Sequence, residues 1–161
     1  MPTISNVAKF ALHRLTPQRA EQVASGGPRA GNWEYDYPAE GDTDSAQMYL
    51  RQCQDGRDPQ PFGPYQIVRL DDGKIIGSAG FHGPPHDGVV EIGYGVVRSA
   101  RGHGYATAAA REILNIARAE GVRRAIARTE TANPASMKVL TNVGMIIVKQ
   151  EGETLSYAID L

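Results

Sequence analysis

The sequence predicts an α/β fold built on one mixed, mostly antiparallel sheet flanked by helices. Three observations carry that expectation. Tyr65 to Leu70 and Lys74 to Phe81 are strand-like runs joined by Asp71-Asp72-Gly73, a hairpin signal. Gly104 to Glu120 places Ala106, Ala109, Ala110, Ile113, Leu114 and Ala117 at spacings of three and four, which is a helical period. Strand-like segments on either side, Val89 to Val97 and Val122 to Arg128, make that helix a crossover between neighbouring strands.

The remaining elements follow in order. Phe10 to Leu15 reads as a first strand, and Thr16-Pro17 is a cap and first-turn pair for a short helix ended by Ser25-Gly26-Gly27-Pro28. Gly31 to Gly41 is irregular, aromatic and acidic, and a second helix is expected from about Asp44 to Gln54. Gly121 sits where a helix C-cap belongs. A short helix follows from Pro134 to Asn142, closed by Gly144. Met145 to Lys149 and Leu155 to Ile159 form a last hairpin across Gly152, whose edge leaves room for a homodimer.

Length and composition bound the class. A chain of 161 residues fits one domain, 1–161, able to bury a core without staples. No apolar run approaches a membrane span, and Met1 to Ser5 lack a signal-peptide layout. Cys53 is the single cysteine, which excludes an internal disulfide and suggests a cytoplasmic protein. A net charge of −1 offers no field for nucleic acid or acidic membranes, so neither is expected as a partner. Charge is nevertheless uneven: Arg98 to Lys138 holds eight basic and three acidic residues, and Glu34 to Asp58 holds seven acidic and two basic. One stretch suits a polyanion and the other a cation, although solvated faces of opposite sign would read the same way.

The most informative stretch runs from Arg98 to Thr107, with glycines at 102 and 104 at the entry to the long helix. Helix N-termini present unpaired N–H groups and partial positive charge, which suit phosphate oxygens. Glycines admit close backbone approach, and Arg101 adds a fixed charge. No Gly-Lys-Ser/Thr follows, so this is no P-loop, and the third glycine of a dinucleotide fingerprint is missing.

Arg101-x-x-Gly104-x-Ala106 resembles the Arg/Gln-x-x-Gly-x-Gly/Ala signature of the GNAT superfamily of acyl-CoA-dependent N-acetyltransferases. With Glu91-Ile-Gly-Tyr-Gly-Val-Val, Asn133-Pro-Ala-Ser136 and Asn142-Val-Gly-Met145, the chain is similar to the branch that acetylates ribosomal-protein N-termini and small amines. The similarity in element order runs from Phe10 to the C-terminus and is specific between Glu91 and Met145. It implies that acetyl-CoA is the cosubstrate, its pyrophosphate held by Arg101, Gly102, His103, Gly104, Tyr105, Ala106 and Thr107. It implies further that the backbone of Val96, Val97 and Arg98 pairs with the pantetheine arm. Asn133 and Ser136 would lie near the pantetheine and thioester sulfur, and Lys138 near the adenosine phosphates. Two positions depart from the family pattern. Leu140 stands where many members carry the tyrosine acid, which leaves Ser136 as the nearest hydroxyl, and Thr107-Ala108-Ala109 replaces Thr-Glu-Ala.

Strand alternation offers a base independently. Val90, Ile92, Tyr94 and Val96 fall on one face, read as helix-facing core. The other face carries Val89, Glu91, Gly93, Gly95 and Val97, a carboxylate beside two glycines that clear space for a ligand. An attacking amine must shed a proton, and Glu91 is the catalytic candidate to take it, with solvent-facing strand residue as the plain alternative. Trp33, Glu34, Tyr35 and Asp36 resemble in position the family's acceptor-side loop, where acids and ring faces together attract a cationic amine; a local hydrophobic anchor is the plain alternative, above all for Trp33. His82, His86 and Asp87 lack rigid ligand spacing, so no metal is expected, and Cys53 has no base beside it. The expected function is acetyl transfer to a primary amine, on a small molecule or a protein N-terminus, by direct attack in a ternary complex. The alternative is an acyl-CoA sensor without turnover.

Overall fold

The computed structural model describes residues 8–161. Met1 to Ser5, read above for a leader, lie outside the described residues. The chain forms β1 (Phe10–Arg14), α1 (Pro17–Ala24), α2 (Glu40–Gln54), β2 (Pro64–Arg69), β3 (Ile75–Phe81) and β4 (Val89–Val96). A short 3₁₀ turn (Arg98–Ala100) follows, then α3 (Tyr105–Ala119), β5 (Arg124–Glu130), α4 (Pro134–Asn142), β6 (Ile146–Glu151) and β7 (Thr154–Asp160).

These strands make one seven-stranded sheet in the order β1-β2-β3-β4-β5-β7-β6. Every neighbouring pair is antiparallel except β4 and β5, which the α3 crossover makes parallel. The fold is therefore the mixed α/β arrangement expected. β4 and β5 pair only through Val89 to Glu91 with Arg124 to Ile126. Beyond Glu91, β4 keeps β3 on one side while β5 continues against β7. The sheet splits there, and the C-terminal half of β4 has an open edge.

Helix α3 forms because its apolar stripe fits the sheet: Ala109, Ala110, Ile113, Leu114 and Ala117 are all buried. It ends in a Schellman closure, in which the Gly121 amide donates to the Arg118 carbonyl and the Val122 amide to the Ala117 carbonyl. That closure consumes Val122, so β5 begins at Arg124, two residues later than expected. α2 begins at Glu40 rather than Asp44. Gly41, Asp42 and Thr43 are weak helix formers, but the Asp42 carboxylate accepts the Ala39 amide at 2.8 Å and holds the first turn. Ala39 has no side-chain acceptor, so only this half of a capping box exists. Edge strand β6 leaves Ile146, Ile147 and Val148 exposed. Among the described residues, no helix is long and apolar enough to cross a membrane.

Candidate functional site

Two cavities open on the split edge of β4, and Tyr94, Gly95, Val96 and Arg101 line both. The first encloses about 490 Å³ between α2 and strands β3 and β4. The second, about 530 Å³, lies between the end of β4, the N-terminus of α3 and α4.

The second cavity is built on backbone. Gly102 and Gly104 hold φ of 83° and 81°, and Gly104 caps α3 in the left-handed region. A Cβ at either glycine meets nothing within 4 Å. Glycine is needed there for conformation rather than for clearance from the protein. The first α3 bond runs from the Ala108 amide to the Gly104 carbonyl at 3.0 Å. The amides of Tyr105, Ala106 and Thr107 therefore lie ahead of the intrahelical ladder, where an anion can take them. Arg101 turns its Nε to donate to the Val96 carbonyl at 3.1 Å, beside that turn.

Across the gap, α4 brings Asn133, Ser136 and Lys138 to the same cavity. Asn133 caps α4, its side-chain oxygen accepting the Ser136 amide at 3.1 Å. The Tyr94 hydroxyl lies 2.8 Å from Ser136 Oγ and 3.1 Å from the Ser136 carbonyl. Burial raises the pKa of the Tyr94 phenol against the opposing effect of its Ser136 bond, so it stays protonated. Tyr94 packs against the core and reaches helix α4, as the strand alternation expects, and its ring also lines the junction of the two cavities.

Three of the expected pantetheine and pyrophosphate residues do not line the second cavity. Val97 is buried, and its amide donates to the Ile76 carbonyl of β3 at 2.8 Å. Arg98 and His103 are exposed and line neither cavity. Val96 presents to the open edge, as an alternating ladder requires when Val97 bonds to β3.

The first cavity gathers residues from separate elements that the sequence does not bring together. Asp42, Asp44, Ser45 and Met48 come from α2, Ser78 and Gly80 from β3, and His82 from just beyond it. Asp42 is buried and accepts the Ser78 hydroxyl at 2.6 Å. Burial raises its pKa, with the Ser78 and Ala39 bonds opposing. Glu91 lines neither cavity. Its Oε2 stands 3.1 Å from His82 Nδ1 and its Oε1 3.7 Å from an Arg128 guanidinium nitrogen.

Trp33, Glu34, Tyr35 and Asp36 also line neither cavity. Trp33 is core, edge-on to Tyr37 at 5.3 Å. Glu34 is paired with Arg69 at 2.5 Å, which holds its carboxyl below the usual range. Tyr35 is exposed, and Asp36 accepts both the Ser99 amide and hydroxyl. Their acidic character is spent on holding this loop to the body of the protein. His86 sits exposed against Asp87, apart from His82, and no three His, Cys, Asp or Glu among the described residues cluster to hold a metal.

The chain matches the acetyltransferase (GNAT) domain family over residues 9–146. A Bacillus subtilis (strain 168) protein described as the uncharacterized N-acetyltransferase YjdG is 37% identical over 94 residues, 57% of this chain and 56% of that protein. The chain thus matches little more than half the length of this curated relative. Ribosomal-protein-S5-alanine acetyltransferase from Vibrio fischeri superposes with a TM-score of 0.66 at 14% identity, covering 94% of this chain and 92% of that one. The microcin C7 self-immunity acetyltransferase MccE, solved with acetyl-CoA and AMP, gives 0.65 at 15% identity, covering 100% and 98%. At such identities the shared property is the fold.

Proposed function

The chain belongs to the GNAT acetyltransferase family, and from that premise we propose that it transfers the acetyl group of acetyl-CoA to a primary amine by direct attack in a ternary complex. One observation carries the reading. Two cavities of different character meet at Tyr94, Gly95 and Val96, so two ligands can touch at the open edge of β4.

The second cavity fits acetyl-CoA. It offers free helix-entry amides and the Arg101 charge for a pyrophosphate, the open edge at Val96 for an extended amide arm, and Asn133, Ser136 and Lys138 opposite. Bound there, acetyl-CoA supplies an acyl group already activated as a thioester. The chain's own groups orient, hold protons and exclude water. The exposed Asp44 gives the first cavity an acidic group suited to a cationic amine, on a small molecule or a protein N-terminus, while Asp42 is buried behind it and bonded to Ser78 and the Ala39 amide. As the amine nitrogen bonds to the carbonyl carbon, the carbon–sulfur bond breaks and the sulfur needs a proton. The Tyr94–Ser136 pair sits at the junction and holds one that either oxygen can present. This pair stands in for the family tyrosine whose position is occupied by the buried Leu140.

The test is acetyl-CoA-dependent thiol release across ribosomal-protein N-terminal peptides, polyamines, amino sugars and amino acids. Turnover with one class supports the reading. Tight acetyl-CoA binding with no turnover on any class selects the sensor.

A further inference from the structure

We propose that Ser78 holds the amine nitrogen of the acceptor, its hydroxyl oxygen accepting an N–H, with Asp42 as the positioning residue that keeps the lone pairs of that oxygen for the cavity. The proposal rests on the acetyltransferase reading above and names the group that recognises the nitrogen within that site.

Strand pairing places the hydroxyl. Ser78 of β3 stands directly opposite Gly95 of β4, and residues so opposed project to the same face of the sheet. A Cβ at Gly95 would meet nothing within 4 Å, so the space beside Ser78 on that face is open. Both residues line the first cavity, and Gly95 lines the second as well. A nitrogen seated over Gly95 has Ser78 on one side and, on the other, the junction where the thioester is proposed to lie.

Hydrogen bonding sets its polarity. The buried Asp42 accepts the Ala39 amide on Oδ2 at 2.8 Å and the Ser78 hydroxyl on Oδ1 at 2.6 Å. A hydroxyl has one proton and two lone pairs. With its proton committed to the carboxylate, Ser78 can only accept from a group in the cavity, and the bond to an anion makes its oxygen a better acceptor. An ammonium or amine N–H is the matching partner; a carbonyl is not. Charge points the same way. Both donors to Asp42 are neutral, and no lysine or arginine among the described residues forms an ion pair with it. A buried carboxylate without a cation is costly. A cationic nitrogen one hydroxyl away offsets that cost, and the exposed Asp44 adds to the attraction.

The experiment uses whichever amine the panel identifies. Ser78→Ala should lower kcat/KM for that amine by about 10- to 100-fold, chiefly through KM, and leave the acetyl-CoA Kd unchanged. Asp42→Asn should lose more. Its oxygen must still accept the Ala39 amide, so its NH₂ group donates to Ser78 and turns the serine proton into the cavity, against the amine N–H. Adding Ser78→Ala to Asp42→Asn removes that opposing proton, so the double variant should be more active than Asp42→Asn alone. A purely structural role for the pair would make the double variant the weakest. Gly95→Ala puts a methyl group into the open space without meeting protein, and should lower kcat/KM for the amine even where the other variants melt early. An active parent matched by its Ser78→Ala and Gly95→Ala variants overturns the proposal and leaves the acetyltransferase reading standing. So does a double variant weaker than Asp42→Asn, or a loss that lies in the acetyl-CoA Kd alone. A parent that acetylates no amine overturns both.

Discussion

The hydroxyl groups of Tyr94 and Ser136 lie 2.8 Å apart, a contact that ties β4 to α4 across the split in the sheet. Tyr94 lines both cavities, and in the proposed reaction this pair would supply the proton that a departing thiolate needs. Tyr94→Phe and Ser136→Ala should each lower kcat, by roughly tenfold, through removal of one partner of a general acid. If the pair acts as a unit, the double variant should lose little more than the worse single one. Steady-state rates of the four proteins check this, and full additivity would show two independent roles.

At the glycine turn, Gly104 at φ 81° has open space around its missing Cβ. A side chain there costs conformation, about 1–2 kcal/mol for the left-handed region. Gly104→Ala should therefore lower thermal stability, and Gly104→Asn less so. Gly104→Val should also weaken acetyl-CoA binding, by misdirecting the amides of Tyr105 to Thr107. Saturating acetyl-CoA at a hundred times its Kd should stabilise the parent by about 2.7 kcal/mol. Calorimetry and melting curves measure both effects.

Two carboxylates should pull the pH dependence of stability in opposite directions. Burial raises the Asp42 pKa above the ordinary value, against its Ser78 and Ala39 bonds. The folded state binds that proton more tightly than the unfolded chain does. Its destabilising effect is thus absent at low pH and grows as pH rises through the ordinary carboxylate range, about pH 4, to the raised value. The stability of Asp42→Asn relative to the parent should increase with pH over that window. For Glu34, the Arg69 bond lowers the pKa, so its contribution is present above the ordinary value and lost as pH falls through the lowered one. Glu34→Gln should narrow its deficit at low pH. Urea titrations at stepped pH separate the two.

Because Glu34 and Trp33 hold the loop rather than line a cavity, their substitution should act on stability alone. Glu34→Gln, which leaves Arg69 with one partner fewer, should cost about 1 kcal/mol at neutral pH. It should leave KM for the amine within twofold. A large KM change would put this loop back in contact with the acceptor.

Much of this architecture is legible in the residues. The α3 stripe, the Gly121 closure and the Pro134–Asn142 helix are local signals, and the structure holds them nearly where they are read. Residues 101–107 read as a glycine-spaced helix entry from spacing alone, and as a pyrophosphate turn only through the family resemblance. The acceptor side is harder, because Asp42, Ser78 and His82 lie on three elements and converge only through packing. The acidic residues at 34 and 36 look available in sequence; Arg69 and Ser99, which engage them, are remote along the chain. One signal for the contact between His82 and Glu91 lies in the strand pairing. Setting β3 against β4 so that Phe81 faces Ile92 places His82 opposite Glu91, a relation that follows from hairpin register and the order of residues alone.

The most direct test of the central claim is thiol release by the purified protein with acetyl-CoA and each amine class, with the product identified by mass. The account predicts release that requires one amine class, stoichiometric with an acetylated product. Acetyl-CoA bound tightly, with no acetylated amine from any class, would contradict it.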